Sequence, residues 1–205
     1  MPMAKSDKRW LRRHVTDPYV RKAREQGYRS RAAFKLLELD QKESLFRPGM
    51  TVIDLGAAPG GWSQLAAKRV GPSGKVIAID LLQIAPISGV TVLKGDFREE
   101  SHFREKFPRG VRADVILSDL SPQLSGIANV DQARSLELAL AAIEFCRKAL
   151  KPDGVFVVKA FQGEAFGELR GELQRAFRRL AVRKPSASRG ESRETYVVAR
   201  GLLAL

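Results

Sequence analysis

From Thr51 onward, short apolar runs rich in valine and isoleucine alternate with longer stretches of helical period. The runs are Thr51–Leu55, Lys75–Asp80, 90–93, 114–118, 155–158 and 195–199. They are apolar at nearly every position, which suits strands of a parallel sheet covered on both faces. Between them, Leu136, Leu140, Ile143 and Leu150 recur at helical spacing and predict a helix over 130–150, ended by Lys151-Pro152-Asp153-Gly154. Phe166, Leu169, Leu173 and Phe177 mark one face of another helix over 164–177. Upstream, Asp17 as N-cap, Pro18 in the first turn and Gly27 past the end bracket a short helix. Ser30 is placed to cap a second helix, which turns Phe34 and Leu37 inward and carries Lys35. Residues 1–16 show no period and read as an arm that is flexible or ordered by a partner. Strand–helix alternation of this kind predicts a doubly wound α/β domain with ligands at the carboxyl ends of its strands. The run 195–199 is expected to close the sheet. With no repeat or linker in view, residues 1–205 are expected to form a single domain, with a basic arm and short helix over 1–29 and a catalytic core over 30–205.

Charge sharpens the picture at two places. The formal net charge is +13; residues 1–35 hold a net +8 and residues 168–193 a net +5, while 36–167 balance to zero. Solubility explains such a total but not its segregation. Two basic surfaces beside a neutral body point to a polyanion, and to nucleic acid above membrane because no amphipathic anchor accompanies them. Trp10 and Tyr28, set among arginines, are the candidates for stacking on bases. No run approaches the ~18 apolar residues of a membrane span, and the basic N-terminus lacks the apolar stretch of a secretory signal. A lone Cys146 and two histidines cannot form an internal disulfide or a zinc site. The expected setting is reducing and cytoplasmic, and the expected state is a monomer.

Candidate chemistry begins where the first run enters Asp54-Leu55-Gly56-Ala57-Ala58-Pro59-Gly60-Gly61-Trp62. Small residues let the backbone approach a ligand, and glycine adopts conformations closed to others. A strand–helix turn without a ligand would not need so many of them. A dinucleotide site is the competitor, since Asp80 ends the second run where ribose hydroxyls would lie. Its pyrophosphate cradle has the spacing G-x-G-x-x-G, whereas these glycines fall as G-x-x-x-G-G after an acid. Asp96, ending the third run in Leu93-Lys94-Gly95-Asp96-Phe97, adds an acid where an adenine amino group would lie. Two acids at successive strand ends suit an adenosine with a cationic head and no phosphates, which is S-adenosylmethionine.

Asp119 ends the fourth run and Lys159 the fifth, in Val157-Val158-Lys159-Ala160-Phe161. Neighbouring strand ends would aim both at the crevice beside the cofactor. The structural alternative is a Lys–Asp pair that closes the sheet edge. A lysine directly behind four apolar residues is hard to explain by packing, because buried lysine is rare unless paired. Methylation at pyrimidine carbon 5 needs a cysteine nucleophile, and Cys146 sits among apolar helix residues. Amino-nitrogen methylases resemble an Asp/Asn-Pro-Pro-aromatic pattern, but here Pro122 is three residues after Asp119 and precedes Gln123. A hydroxyl acceptor fits best, since a lysine can orient it and take its proton.

Across nearly its whole length the chain resembles the FtsJ/RrmJ (RlmE-type) family of ribosomal RNA large-subunit 2′-O-methyltransferases. The resemblance lies in Ser30-Arg31-Ala32-Ala33-Phe34-Lys35-Leu36, Asp54 through Ser63, Gly95-Asp96-Phe97-Arg98, Ser118-Asp119, Val157 through Gly163, and Arg183-Lys184-Pro185 onward to Ser192-Arg193-Glu194-Thr195-Tyr196. It implies a Rossmann-like, mostly parallel seven-stranded sheet with an antiparallel C-terminal strand. It also implies a Lys-Asp-Lys-Glu tetrad at Lys35, Asp119, Lys159 and Glu194, and S-adenosylmethionine contacts at Gly60, Trp62, Asp80, Asp96 and Asp119. Without it, Lys35 and Glu194 would pass for solvated surface charges. The implied substrate is the ribose 2′-hydroxyl of a uridine in the A-loop of 23S ribosomal RNA, met within the large subunit or its precursor. One departure is Leu120-Ser121-Pro122-Gln123, where the family's members carry Met-Ala-Pro-Asn. The alternatives are 2′-O-methylation of a transfer RNA or cap, and a non-catalytic ribosome-assembly factor that keeps the fold as an RNA-binding surface.

Overall fold

In the computed structural model, residues 17–99, 112–122, 125–190 and 192–204 are described. Helix α1 (Pro18–Glu25) starts as predicted: the Asp17 carboxylate accepts from the Tyr19 N–H at 3.0 Å, with Pro18 in the first turn. Helix α2 (Ala32–Glu43) starts one residue later than expected. Arg31 holds the cap position without a side-chain cap, and Ser30 gives only its carbonyl, to the Ala33 N–H. There follow β1 (Thr51–Leu55), α3 (Gly61–Val70), β2 (Lys75–Asp80), β3 (Val90–Lys94), β4 (Ala113–Ser118), α4 (Ala128–Ala149), β5 (Leu150–Phe161), α5 (Glu164–Ala176), β6 (Phe177–Arg183) and β7 (Glu194–Leu202).

These strands form one sheet of order β3-β2-β1-β4-β5-β7-β6, parallel except where β7 pairs with β5 and β6. Two expectations are corrected. The run 195–199 does not close the sheet, because β7 inserts between β5 and β6. The edge is β6, whose Arg178 and Arg179 interrupt the apolar run that marked the other strands, so Phe177 passed for the end of a helix. Strand β5 also reaches back to Leu150 through the expected turn, with a register irregularity opposite Ala113 and Val115.

Alternation within each strand divides the core in two. Ile53, Ile116, Phe156, Val158 and Val197 pack on α4 and α5; Val52, Val115, Leu117, Val157, Tyr196 and Val198 pack under α2 and α3. Each large apolar side chain so buried contributes roughly 1.5–3 kcal/mol, which explains why the interior strands are apolar at every position. Cys146 is buried in the first layer, as expected of a core residue. Between β1 and β4 the strand order reverses, and the crevice beyond their carboxyl ends is the place where such sheets take ligands. No helix among the described residues is long and apolar enough to cross a membrane.

Candidate active site

At that reversal lies a cavity of about 630 Å³, a size suited to a nucleoside-bearing ligand. Gly56, Ala58, Asp80, Asp96 and Asp119 line it, with Leu81 and Leu82 from the turn after β2 and Arg98, Arg134 and Glu137 around the rim. Gly56 has φ +72°, and a Cβ there would come within 2.6 Å of Leu120; only glycine keeps the loop this close to the next strand's turn. The Asp80 carboxylate is fixed by backbone donors, the Ala58 N–H at 2.9 Å and the Leu82 N–H at 2.7 Å. Ionised, it has lone pairs left for ribose hydroxyls. Asp96 receives the Arg98 guanidinium on both oxygens, at 2.6–3.0 Å. Leu81 and Leu82 are 63% and 67% exposed, an apolar wall that a flat ring would cover. The acids and this wall fit an adenosine carrying a positive head.

Beside the cavity, four separate segments converge. Lys159 and Tyr196 are register partners on β5 and β7, both on the sheet face toward α2. The Lys159 Nζ donates to the Asp119 main-chain oxygen at 2.8 Å and lies 3.3 Å from its Oδ1. The Tyr196 hydroxyl donates to the same Oδ1 at 2.9 Å and accepts from the Lys35 Nζ at 3.4 Å. Lys35 in turn pairs with Glu194 at 2.6 Å, and the Ser188 hydroxyl donates to that carboxylate at 2.9 Å. Lys159–Asp119 is therefore not a pair at the sheet edge, since β4 and β5 are interior neighbours. Nor are Lys35 and Glu194 solvated: each side chain is only 13% exposed.

Burial alone would raise the Glu194 carboxyl. The charge and hydrogen bond of Lys35, with the charge of Lys159, outweigh it and hold the group below its ordinary range. Burial pushes the Tyr196 hydroxyl well up, helped by the charges of Asp119 and Glu194, so it stays a neutral donor. Close enough to Asp119 and Asp80 to feel their charges lies Asp54, fully buried and accepting from the Ser63 hydroxyl at 2.6 Å. Burial, with the charges of Asp119 and Asp80, raises its carboxyl to about 7, against the lowering by Ser63.

Residues 28–202 match the model of the FtsJ-like methyltransferases. The chain belongs to that family. It is 51% identical over 201 residues to the ribosomal RNA large subunit methyltransferase E of Alcanivorax borkumensis, covering 97% of both chains. To the protein of that name from Nitrosospira multiformis it is 47% identical over 203 residues, 98% of both. Among solved structures it is similar to a ribosomal RNA methyltransferase of Plasmodium falciparum, with a TM-score of 0.78 and 28% identity over 87% of this chain and all of that one. The fibrillarin of Aeropyrum pernix, solved with natively bound S-adenosyl-L-methionine, has a TM-score of 0.58 and 18% identity over 84% of this chain and 75% of its own, a likeness of fold.

Within this methyltransferase the structure brings together Asp80, Asp96 and Asp119 around the cavity, and Lys35, Asp119, Lys159 and Glu194 beside it. It does not bring the Trp62 side chain to the cavity. The indole is 3% exposed, donates to the Ala32 carbonyl at 2.7 Å and packs on Tyr196, so it joins helix to sheet. Gly60 also stands outside the lining; it caps α3, and a Cβ there would come within 2.4 Å of Ile87. Tyr28 is no free stacking platform, because its ring packs edge-on to Phe34 under Lys68. Trp10 and the arginines of the arm, with Gln123, lie outside the described residues. Sequence reasoning missed Tyr196 as the hub of the cluster; the one signal was an aromatic beside Glu194 on a strand facing Lys159.

Proposed function

We propose that this methyltransferase transfers the methyl group of S-adenosylmethionine to the 2′-hydroxyl of a uridine in the A-loop of large-subunit ribosomal RNA. The observation that carries this reading is the Lys159–Asp119–Tyr196–Lys35–Glu194 chain of contacts at the lip of a cavity whose acids fit adenosine. Bound there, the cofactor supplies an electrophilic methyl on a sulfonium. The chain's own residues must then present a weak nucleophile in line. Asp80 and Asp96 hold the nucleoside, Asp80 on the ribose and Asp96 on the base amino group. Lys159, held in direction by the Asp119 carbonyl and carboxylate, faces the acceptor hydroxyl and takes its proton as an amine. Lys35 and Glu194 hold the acceptor ribose, and Tyr196 keeps Asp119 and Lys35 in register. Positioning of this kind is worth on the order of 7 kcal/mol when alignment is good, and proton transfer about 10²–10⁴-fold more.

The names of the half-identical relatives support ribosomal RNA as the substrate. Purified protein given S-adenosylmethionine with a labelled methyl, and large subunits from cells lacking the protein, tests the reading. After digestion to nucleosides, the label is expected in 2′-O-methyluridine. Label in a methylated base, transfer only to transfer RNA, or cofactor binding with no transfer would each contradict it.

A further inference from the structure

The basic segments become a particular surface once β6 and β7 are paired. Arg179 and Arg183 alternate on β6, and Arg200 on β7 is the register partner of Arg179. Their common face is fixed by contacts. The Arg183 Nε donates to the Glu43 carboxylate at 2.6 Å, the Arg200 guanidinium donates to the Glu43 carbonyl, and Ala181 and Val198 between them pack in the layer under α2. Glu43 therefore pairs with Arg183 and, at 3.9 Å, with Arg200. Arg179 is exposed and makes no ion pair or hydrogen bond among the described residues. Like charges directly opposite on paired strands cost stability; Glu43 answers Arg183 and Arg200, which leaves Arg179 as the member of the cluster that an anion completes. An edge strand also uses arginine to discourage edge-to-edge pairing. That explains Arg178 as well as Arg179, but not a three-arginine cluster gathered on one face.

We propose that Arg179, Arg183 and Arg200 form a track for RNA phosphates, carrying the strand away from the acceptor site along the α2 face of the sheet. The track starts at the site, since Arg183 is the register partner of Tyr196. It runs four residues along β6, about 13 Å at ~3.3 Å per residue, enough for a few nucleotides. Its occupant is RNA rather than an acidic peptide because the track is continuous with a site that takes a ribose. The inference rests on the proposed RNA substrate.

Arg179→Glu and Arg178→Glu test it together. They make the same charge change at adjacent residues on opposite faces of β6; Arg178 lies over Gly201, away from the cluster. Binding to a large-subunit RNA fragment is measured by fluorescence anisotropy across a salt series. With Arg179→Glu the affinity is expected to fall about tenfold at 0.1 M salt, and the salt slope by roughly 0.7–0.9 for each phosphate that is no longer neutralised. Arg178→Glu should leave the slope at its wild-type value. Arg179→Gln, which adds no carboxylate, should reproduce the slope change, with melting temperatures of all variants near wild type. Equal losses in both Glu variants would show a bulk charge effect, and unchanged slopes would leave Arg179 a guard of the strand edge; either overturns the track. Wild-type protein that ignored RNA would overturn the proposed substrate itself.

Discussion

The cavity at the strand reversal and the proposed acceptor cluster share Asp119 and are otherwise built in opposite ways. Around the cavity, each acid is set by one or two short contacts: Asp80 by the main-chain N–H groups of Ala58 and Leu82, Asp96 by Arg98 two residues on. The acceptor cluster is set by side chains from four distant segments, each holding the next across two strands and a helix. The cavity's selectivity should therefore survive damage to one acid, whereas the cluster should fail when any link is cut.

Asp119 is where the two regions can be broken together. Asp119→Asn keeps the shape but removes the charge beside Lys159. Methyl transfer is expected to drop about 10³-fold, with cofactor affinity falling far less, as single-turnover kinetics and calorimetry would separate. Loss of cofactor affinity alone would place Asp119 with the cavity only.

Asp54, whose carboxyl feels the charges of Asp119 and Asp80, sharpens the comparison through stability. Its folded carboxyl is raised from 3.8 to about 7. A raised group stabilises the fold fully below its unfolded value, and that contribution is lost as pH rises through about 7. Asp54→Asn cannot ionise, so the variant should gain on wild type between pH 4 and 7 and be more stable above that by about 2–4 kcal/mol. Denaturant unfolding at pH 4 and pH 8 checks this; an equal difference at both would mean that Asp54 does not titrate.

In the cavity, Asp80→Ala should weaken S-adenosylmethionine by about 1–3 kcal/mol, roughly five- to 150-fold, by calorimetry, and leave RNA affinity alone. A matching loss of RNA affinity would mean that the two regions are not separable.

The same contrast explains what was legible in the sequence. Asp54, Asp80, Asp96 and Asp119 sit at ends of apolar runs, so the pattern that marks a strand also marks its terminal acid. Lys159 stood out because four apolar residues precede it. Lys35 and Glu194 came only from family resemblance, since nothing local tells a buried ion pair from two solvated charges. Tyr196 was hidden for the same reason: a tyrosine in a strand looks like core until its hydroxyl is seen between Lys35 and Asp119. Strand β6 was missed because an edge strand need be apolar on one face only, and a loop sequence does not say which way the Trp62 indole turns, here into the packing of helix on sheet. Tyr196→Phe keeps the ring and removes that one hydroxyl. It should cost about 1 kcal/mol, or five- to tenfold in transfer rate, with cofactor affinity and melting temperature near wild type.

Central to the proposed function is Lys159 as the group that takes the acceptor proton. Single-turnover methylation by Lys159→Arg, followed across pH, tests it most directly, because arginine keeps the charge and reach but does not deprotonate. The account predicts a rate about 10³-fold down where the wild type is fastest, and loss of the wild-type rise of rate with pH, with cofactor and RNA affinities unchanged. Transfer within a few fold of wild type and an unaltered pH profile would show that a fixed positive charge suffices there, and would contradict it.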